Sequence, residues 1–385
     1  MIQYVLVAAF TAIITAVLSF VVWKFALRFK LYPPIRERDV HTRPTPRLGG
    51  VAMFLGVVAA FIYAQNNKFL GHTFDDPGQM YAILGAAALI VVVGVLDDLI
   101  DLDWMIKLAA QFIAAGIIAF YGIQIYSLPI AGLTVGSSTA SFVLTVFVLV
   151  LVMNAVNFID GLDGLVAGVC LIANGTFFIY GYLLVRSMGQ TSYFNVPLLL
   201  SAILIGICAG FLPFNWHPAR MFMGDAGALL IGLLMATSAV AITGQIDPSA
   251  LGIGQEAATV GRSQLIGAFI PIILPVAILV VPLLDFSLAV YRRLRAGKSP
   301  FAADRKHLHH RLLDMGHRHF GAVLVFYAWT IVISAACLMA FIFQPYWIAV
   351  TFLVLGVIGC TVLTLMPVLR ARHERRRQER LAASA

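Results

Sequence analysis

The chain has 385 residues, 61% of them hydrophobic and only 11% charged, against about 25% charged in a soluble globular protein. So few charges cannot cover a water-facing surface. With a mean hydropathy of +0.93 the solvent for most of the chain is lipid. The net charge of +8 then describes the loops and ends. Cys170, Cys208, Cys337 and Cys360 each stand alone in apolar runs, without the short spacing of a zinc or redox motif.

In chain order, about eleven apolar runs are long enough to cross a bilayer. They cover residues 2–27, 48–65, 79–96, 104–122, 139–156, 164–186, 193–213, 226–244, 263–291, 321–340 and 344–367. The first is too long and uniform for a signal peptide, and reads as a retained span. The expected fold is an all-α polytopic membrane protein. One transmembrane catalytic domain covers 1–367, and a basic tail covers 368–385. Of the 26 Lys and Arg residues only Lys68, Arg186 and Arg262 fall on one side of this arrangement. The Arg-rich side is cytoplasmic by the positive-inside rule, with the N-terminus outside and the C-terminus inside. No nucleic-acid partner is expected, and a homodimer stays open.

The chemistry-bearing residues collect on that same side. "RPTPRLGG" precedes the second span, with prolines that stiffen it and glycines that loosen it. "VLDDLIDLDWMIK" closes the third span with Asp97, Asp98, Asp101 and Asp103. Asp98 and Asp101 share a face if the helix continues. Such adjacent carboxylates need a cation, either Lys107 or a divalent metal. "NAVNFIDGLDGL" ends the fifth span. There Asn154, Asn157 and Asp160 lie on one helical stripe, with Gly161 and Asp163 beyond. "FNWHPARMFMGDAGALL" enters the eighth span, with Asp225 between glycines as an N-cap or as a ligand to magnesium. "SPFAADRKHLHHRLLDMGHRH" offers Arg305, His307, His309 and His310. These suit a diphosphate better than zinc, because the flanking cations repel a metal. No Walker A sequence is present, so phosphate must be held by side chains and metal. A transporter also carries intramembrane acids, but strings them along a path near the midplane. Here the spans are clean.

These five motifs, in this order, resemble the polyprenyl-phosphate N-acetylhexosamine-1-phosphate transferase family from about Arg36 to Arg311. The "HLHH" form resembles its N-acetylglucosamine-1-phosphate branch more than the branch that uses UDP-N-acetylmuramoyl-pentapeptide. The resemblance implies a multi-pass enzyme of the cell membrane with its site facing the cytoplasm. It implies Mg²⁺ (Mn²⁺ as a substitute), a UDP-GlcNAc donor and a polyprenyl phosphate acceptor in the bilayer. It places Asn157 and Asp225 on the metal with Asn154 in support, and Asp97 and Asp98 at the acceptor phosphate. Lys107 falls beside the phosphates and Trp104 near the lipid. Asp160, Gly161 and Asp163 fall near the nucleoside, and Phe222 stacks on uracil. Arg305, His307, His309 and His310 close over the diphosphate. Direct attack by the lipid phosphate and a covalent intermediate on Asp98 are both open to this reading.

Overall fold

The computed structural model describes residues 1–32, 45–125, 127–130, 133–134, 137–188, 195–244, 287, 290–292, 294–295, 297, 308–343 and 345–383. The α-helices are α1 (Ile2–Arg28), α2 (Gly49–Gln65), α3 (Pro77–Ile100), α4 (Trp104–Phe120), α5 (Ser138–Phe158), α6 (Leu165–Met188), α7 (Asn195–Asn215), α8 (Gly224–Gly244), α9 (Leu308–Asp314), α10 (His319–Ile342) and α11 (Trp347–Ala383). Eight of these are long and apolar enough to cross a membrane. Gly49–Gln65 and Trp104–Phe120 are shorter apolar helices. Most of the run expected over 263–291 lies outside the described residues. One departure from an all-helical chain is a small antiparallel hairpin, β1 (Ser127–Ile130) on β2 (Leu133–Thr134). It lies in the connection between α4 and α5, where backbone groups released from the helices pair with each other.

Helix α8 is the axis of the bundle. Its apolar window is 89% buried, against 22% for α1 and 11% for α11. It packs on α2, α3, α5 and α7. Small residues make this close approach workable. A Cβ at Gly94 of α3 would strike the Ala226 backbone, and one at Gly50 of α2 would strike the Gly227 nitrogen. The N-terminal turn of α8 is thereby wedged between α2 and the polar end of α3. Backbone pairing fixes the same end. Gly49 and Gly50 N–H donate to the Phe222 and Met223 carbonyls at 3.0 and 2.9 Å, and Phe222 N–H donates to Pro46 O at 2.8 Å. The "RPTPRLGG" motif thus holds the segment entering α8 in an extended pairing.

Candidate active site

The helix α3 runs through Asp97 and Asp98 before it stops. Asp97 faces inward and is 8% exposed. Its Oδ1 accepts the Leu102 N–H at 2.9 Å, and its Oδ2 accepts from Lys107 Nζ at 3.0 Å. Lys107 lies at the start of α4, and its Nζ also stands 3.6 Å from Asp225 Oδ2. The turn between the helices makes this meeting possible. Asp101 closes α3 in a left-handed conformation at φ 56°. Asp103 caps α4 by accepting the Met105 N–H at 2.8 Å. The shared face expected of Asp98 and Asp101 does not arise, because the helix ends at Ile100.

Asn157 and the first turn of α8 also meet at Asp225. Helix α8 begins at Gly224, whose φ of +68° suits glycine. Asp225 is therefore inside the first turn, where unpaired N–H groups and the helix dipole favour an anion. Asn157 Nδ2 donates to Asp225 Oδ1 at 3.1 Å. One turn back on α5, Asn154 Nδ2 donates to Gln111 of α4 and to Val150 O. The two carboxamides share the expected stripe, but Asp160 does not, because α5 ends at Phe158. Asp160 lies in the following turn beside exposed Gly161. Desolvation raises its carboxyl to about 7, with Asp225 and Asp163 adding and Arg47 opposing.

Asp98 completes the cluster. Its Oδ2 is buried and has no hydrogen-bond partner among the described residues. A Cβ on Gly224 would strike that oxygen, so the carboxylate abuts the start of α8. A buried carboxylate oxygen left unpaired is costly unless a cation neutralises it. Asp98, Asp225 and Asn157 together offer only hard oxygen ligands, the set suited to magnesium. The residues present therefore fit a divalent cation.

Lys107, Asn154, Asn157 and Asp225 line one end of a cleft of about 450 Å³. Apart from Gln111 the rest of its wall is apolar, including Trp104, Phe112, Phe147 and Leu229. Trp104 is 46% exposed and Phe147 58% exposed on the outer surface of the bundle. The cleft thus runs from a charged end to an apolar rim.

Asp163 lies elsewhere. Its side chain is fully enclosed; Oδ2 sits 2.7 Å from His217 Nδ1 and accepts the Ala219 N–H at 3.1 Å. Phe222 is half-buried in the segment before α8. Arg305 and His307 lie outside the described residues; His309 and His310 fall in α9, whose backbone alone is described there.

Several residues of the site are not among those the sequence singles out. Gln111, 4% exposed, is the partner of Asn154 and lines the cleft. A lone carboxamide in an apolar helix is its one sequence signal. Asn215, 2% exposed, accepts the Gly164 N–H and donates to Met221 O, so it ties the two central motifs together. His319 approaches Asp163 from α10, a pairing that no spacing announces.

Residues 80–243, which carry Asp97 through Asp225, match the family model of Glycosyl transferase family 4. The chain is 38% identical over 374 residues to the decaprenyl-phosphate N-acetylglucosaminephosphotransferase of Mycolicibacterium smegmatis, covering 96% of this chain and 89% of that one. It is 30% identical over 350 residues to the undecaprenyl-phosphate alpha-N-acetylglucosaminyl 1-phosphate transferase of Yersinia pestis, covering 88% and 85%. The phospho-N-acetylmuramoyl-pentapeptide-transferase of Bacillus subtilis matches at 32% over 247 residues, 59% of this chain and 72% of that one. A carboxylate–lysine–carboxamide cluster inside the matched span, with relatives aligned along nearly the whole length, places this chain in Glycosyl transferase family 4.

Proposed function

We propose that the protein transfers N-acetylglucosamine-1-phosphate from UDP-GlcNAc to a polyprenyl phosphate, releasing UMP and leaving a polyprenyl-diphosphate sugar. The observation that carries this reading is the two-ended cleft. Lys107 and the Asp225 cluster suit phosphate and its counter-ion at one end, and the exposed apolar rim suits a prenyl chain entering from lipid. The names of the relatives that align over most of the chain support the donor and acceptor. The pentapeptide-transferase relative covers a smaller share of this chain.

A phosphate monoester has a second pKa near 6, so the acceptor is largely a dianion at neutral pH and needs little base chemistry. One of its oxygens bonds to the β-phosphorus of the donor, and the bond from that phosphorus to the α–β bridging oxygen breaks. That bridging oxygen leaves with UMP. The work left to the protein is alignment of two anions and screening of their repulsion. Lys107, held by Asp97, sets a positive charge beside Asp225. Asn154, braced by Gln111, and Asn157, braced by Asp225, present fixed amide groups at the same end. Asp98, Asp225 and Asn157 are the residues that would hold Mg²⁺, with Mn²⁺ as a substitute. When bound, the ion supplies charge neutralisation of the phosphates. Trp104 stands at the rim for the lipid. Phe222, Asp160 and Gly161 are assigned to the nucleoside, with Asp163 shaping that end from beneath. Arg305, His307, His309 and His310 are assigned to the donor diphosphate.

The same reading takes eleven spans, one membrane domain through residue 367 and a basic tail. The cluster faces the cytoplasm across the cell membrane, as the Lys and Arg asymmetry directs. The deciding experiment supplies purified protein with Mg²⁺, a polyprenyl phosphate and either UDP-GlcNAc or UDP-N-acetylmuramoyl-pentapeptide. Lipid product and UMP should form with the first donor and not the second. Turnover of the pentapeptide donor alone would replace the donor assignment, and no UMP from either would remove the activity.

A further inference from the structure

The cleft is built in three tiers along facing stripes of α4 and α5. Lys107, Asn157 and Asp225 form the charged end, and Phe112 and Phe147 stand in the apolar wall. Between them, about one helical turn in from Lys107 and Asn157, lies a tier of two carboxamides, Gln111 and Asn154. We propose that Gln111 itself binds substrate: its side-chain NH2 donates to a non-bridging oxygen of the acceptor phosphate, at the depth where that phosphate joins the prenyl chain. The inference rests on the polyprenyl phosphate acceptor proposed above and adds to it a residue and a contact.

Hydrogen-bond chemistry fixes the polarity of the amide pair. Val150 O can only accept, so the branch of Asn154 that reaches it at 2.8 Å is the NH2. The same nitrogen meets Gln111, so the Gln111 atom in that bond is the carbonyl oxygen. The Gln111 NH2 is thereby left on the other branch. It has no protein partner among the described residues, and it is not among the atoms sealed away without one. Gln111 is nearly buried and lines the cleft, so the opening its nitrogen reaches is the cleft itself.

Such a donor is a liability in an apolar wall. A prenyl chain filling the cleft displaces the water that satisfies it, and an amide N–H left unpaired in those surroundings is costly. A ligand that brings an anionic oxygen to the same depth removes the cost and gains a charge-assisted hydrogen bond. The acceptor has this layout: a charged phosphate joined through one ester oxygen to a hydrocarbon chain. With the chain along Phe112 and Phe147, Lys107 and Gln111 hold the phosphate from one face of α4, four residues apart. A fixed donor on one oxygen stops rotation about the ester bond and leaves another oxygen turned toward the UDP-sugar. Asn154 keeps the Gln111 amide from flipping, because a flip would set NH2 against NH2.

The test uses the full chain in detergent with Mg²⁺, UDP-GlcNAc and a titration of polyprenyl phosphate at about pH 8, where the phosphate is a dianion. Gln111→Glu is the deciding variant. Its carboxylate can still accept from Asn154, but it sets an acceptor where the NH2 stood. KM for the lipid should rise at least about tenfold, the value of one charge-assisted hydrogen bond, while KM for UDP-GlcNAc stays within about twofold. A merely structural glutamine would leave the lipid KM of this variant at the parent value. Gln111→Met, neutral and of similar length, guards against misfolding of the charged variant. Without Mg²⁺ or UDP-sugar it should retain at least about tenfold less radiolabelled polyprenyl phosphate than the parent. An unchanged lipid KM in Gln111→Glu beside an active parent, or equal lipid retention by parent and Gln111→Met, overturns the role of Gln111 and leaves the proposed function standing. A parent that releases no UMP with these substrates removes that function and this contact together.

Discussion

Asp225 and Asp97 both contact Lys107, yet their replacement by asparagine should differ in its effect on stability. In Asp225→Asn the side chain keeps its shape, and an amide oxygen can still accept from Asn157 at the present 3.1 Å. The substitution breaks a 3.6 Å ion pair on a side chain one-third exposed. Such a pair is worth less than about 1 kcal/mol, so the melting temperature should barely move. Removing the charge from the phosphate end is another matter. Weakening the hold on a cation that neutralises transferring phosphates costs about 3–5 kcal/mol in the transition state. That is roughly a hundredfold to several-thousandfold in rate. Asp97→Asn adds a loss of stability. Asp97 is nearly buried and takes both the Lys107 ammonium at 3.0 Å and the Leu102 N–H at 2.9 Å. A charge-assisted bond of this kind is worth about 1.5–3 kcal/mol, and its loss also frees the α3–α4 turn. Asp97→Asn should therefore melt several degrees lower as well as lose activity. UMP release across a Mg²⁺ titration, with detergent melting alongside, separates the two variants. If Asp225→Asn keeps more than about a third of the parent rate at ordinary Mg²⁺, the cluster is a packing device and the metal assignment is wrong.

Three other outcomes follow from the same picture. His309→Ala and Arg305→Ala should each lower kcat/KM about tenfold to a hundredfold, the value of one charge-assisted hydrogen bond, and unchanged kinetics in both would make that loop a solvated basic face. Cysteines placed in the 292–320 segment should be shielded from an impermeant thiol reagent in intact cells while one at Gln255 is labelled; the reverse pattern would invert the topology. Asp160 has a folded-state pKa of about 7, raised from 3.8, so its stabilising contribution is complete at low pH and fades as pH rises through that interval. Asp160→Asn should flatten the fall in melting temperature between about pH 4 and 7, and an identical slope in both proteins would contradict the burial of that carboxyl.

Membrane character, helix positions and the identity of the polar motifs were legible in the sequence because the bilayer imposes a length and a hydropathy that composition alone reveals. Asp97, Asp98, Lys107, Asn154, Asn157 and Asp225 all stand out that way: each is a polar group beside a span, where such groups are costly. Their division of labour was not legible. Asp101 and Asp103 read as equals of Asp97 and Asp98, but the helix stops between the pairs, and one added turn would have put Asp101 on the working face. Asp160 and Asp163 lie three residues apart in one motif, yet the first faces the charges of Asp225 and Arg47 while the second is enclosed under His217. Spacing describes neighbours within a helix, and these contacts join different helices. Gln111 meets Asn154 across 43 positions, and Asp163 meets His319 across 156. Only the packing of α8 between α2 and α3, made close by Gly50 and Gly94, settles which of the acids stand beside Lys107. Hydropathy and motif order are enough to gather the chemistry at one end of a membrane bundle. Which carboxylates share a cation is a property of the packed bundle, because it depends on distances between helices that no single helix encodes.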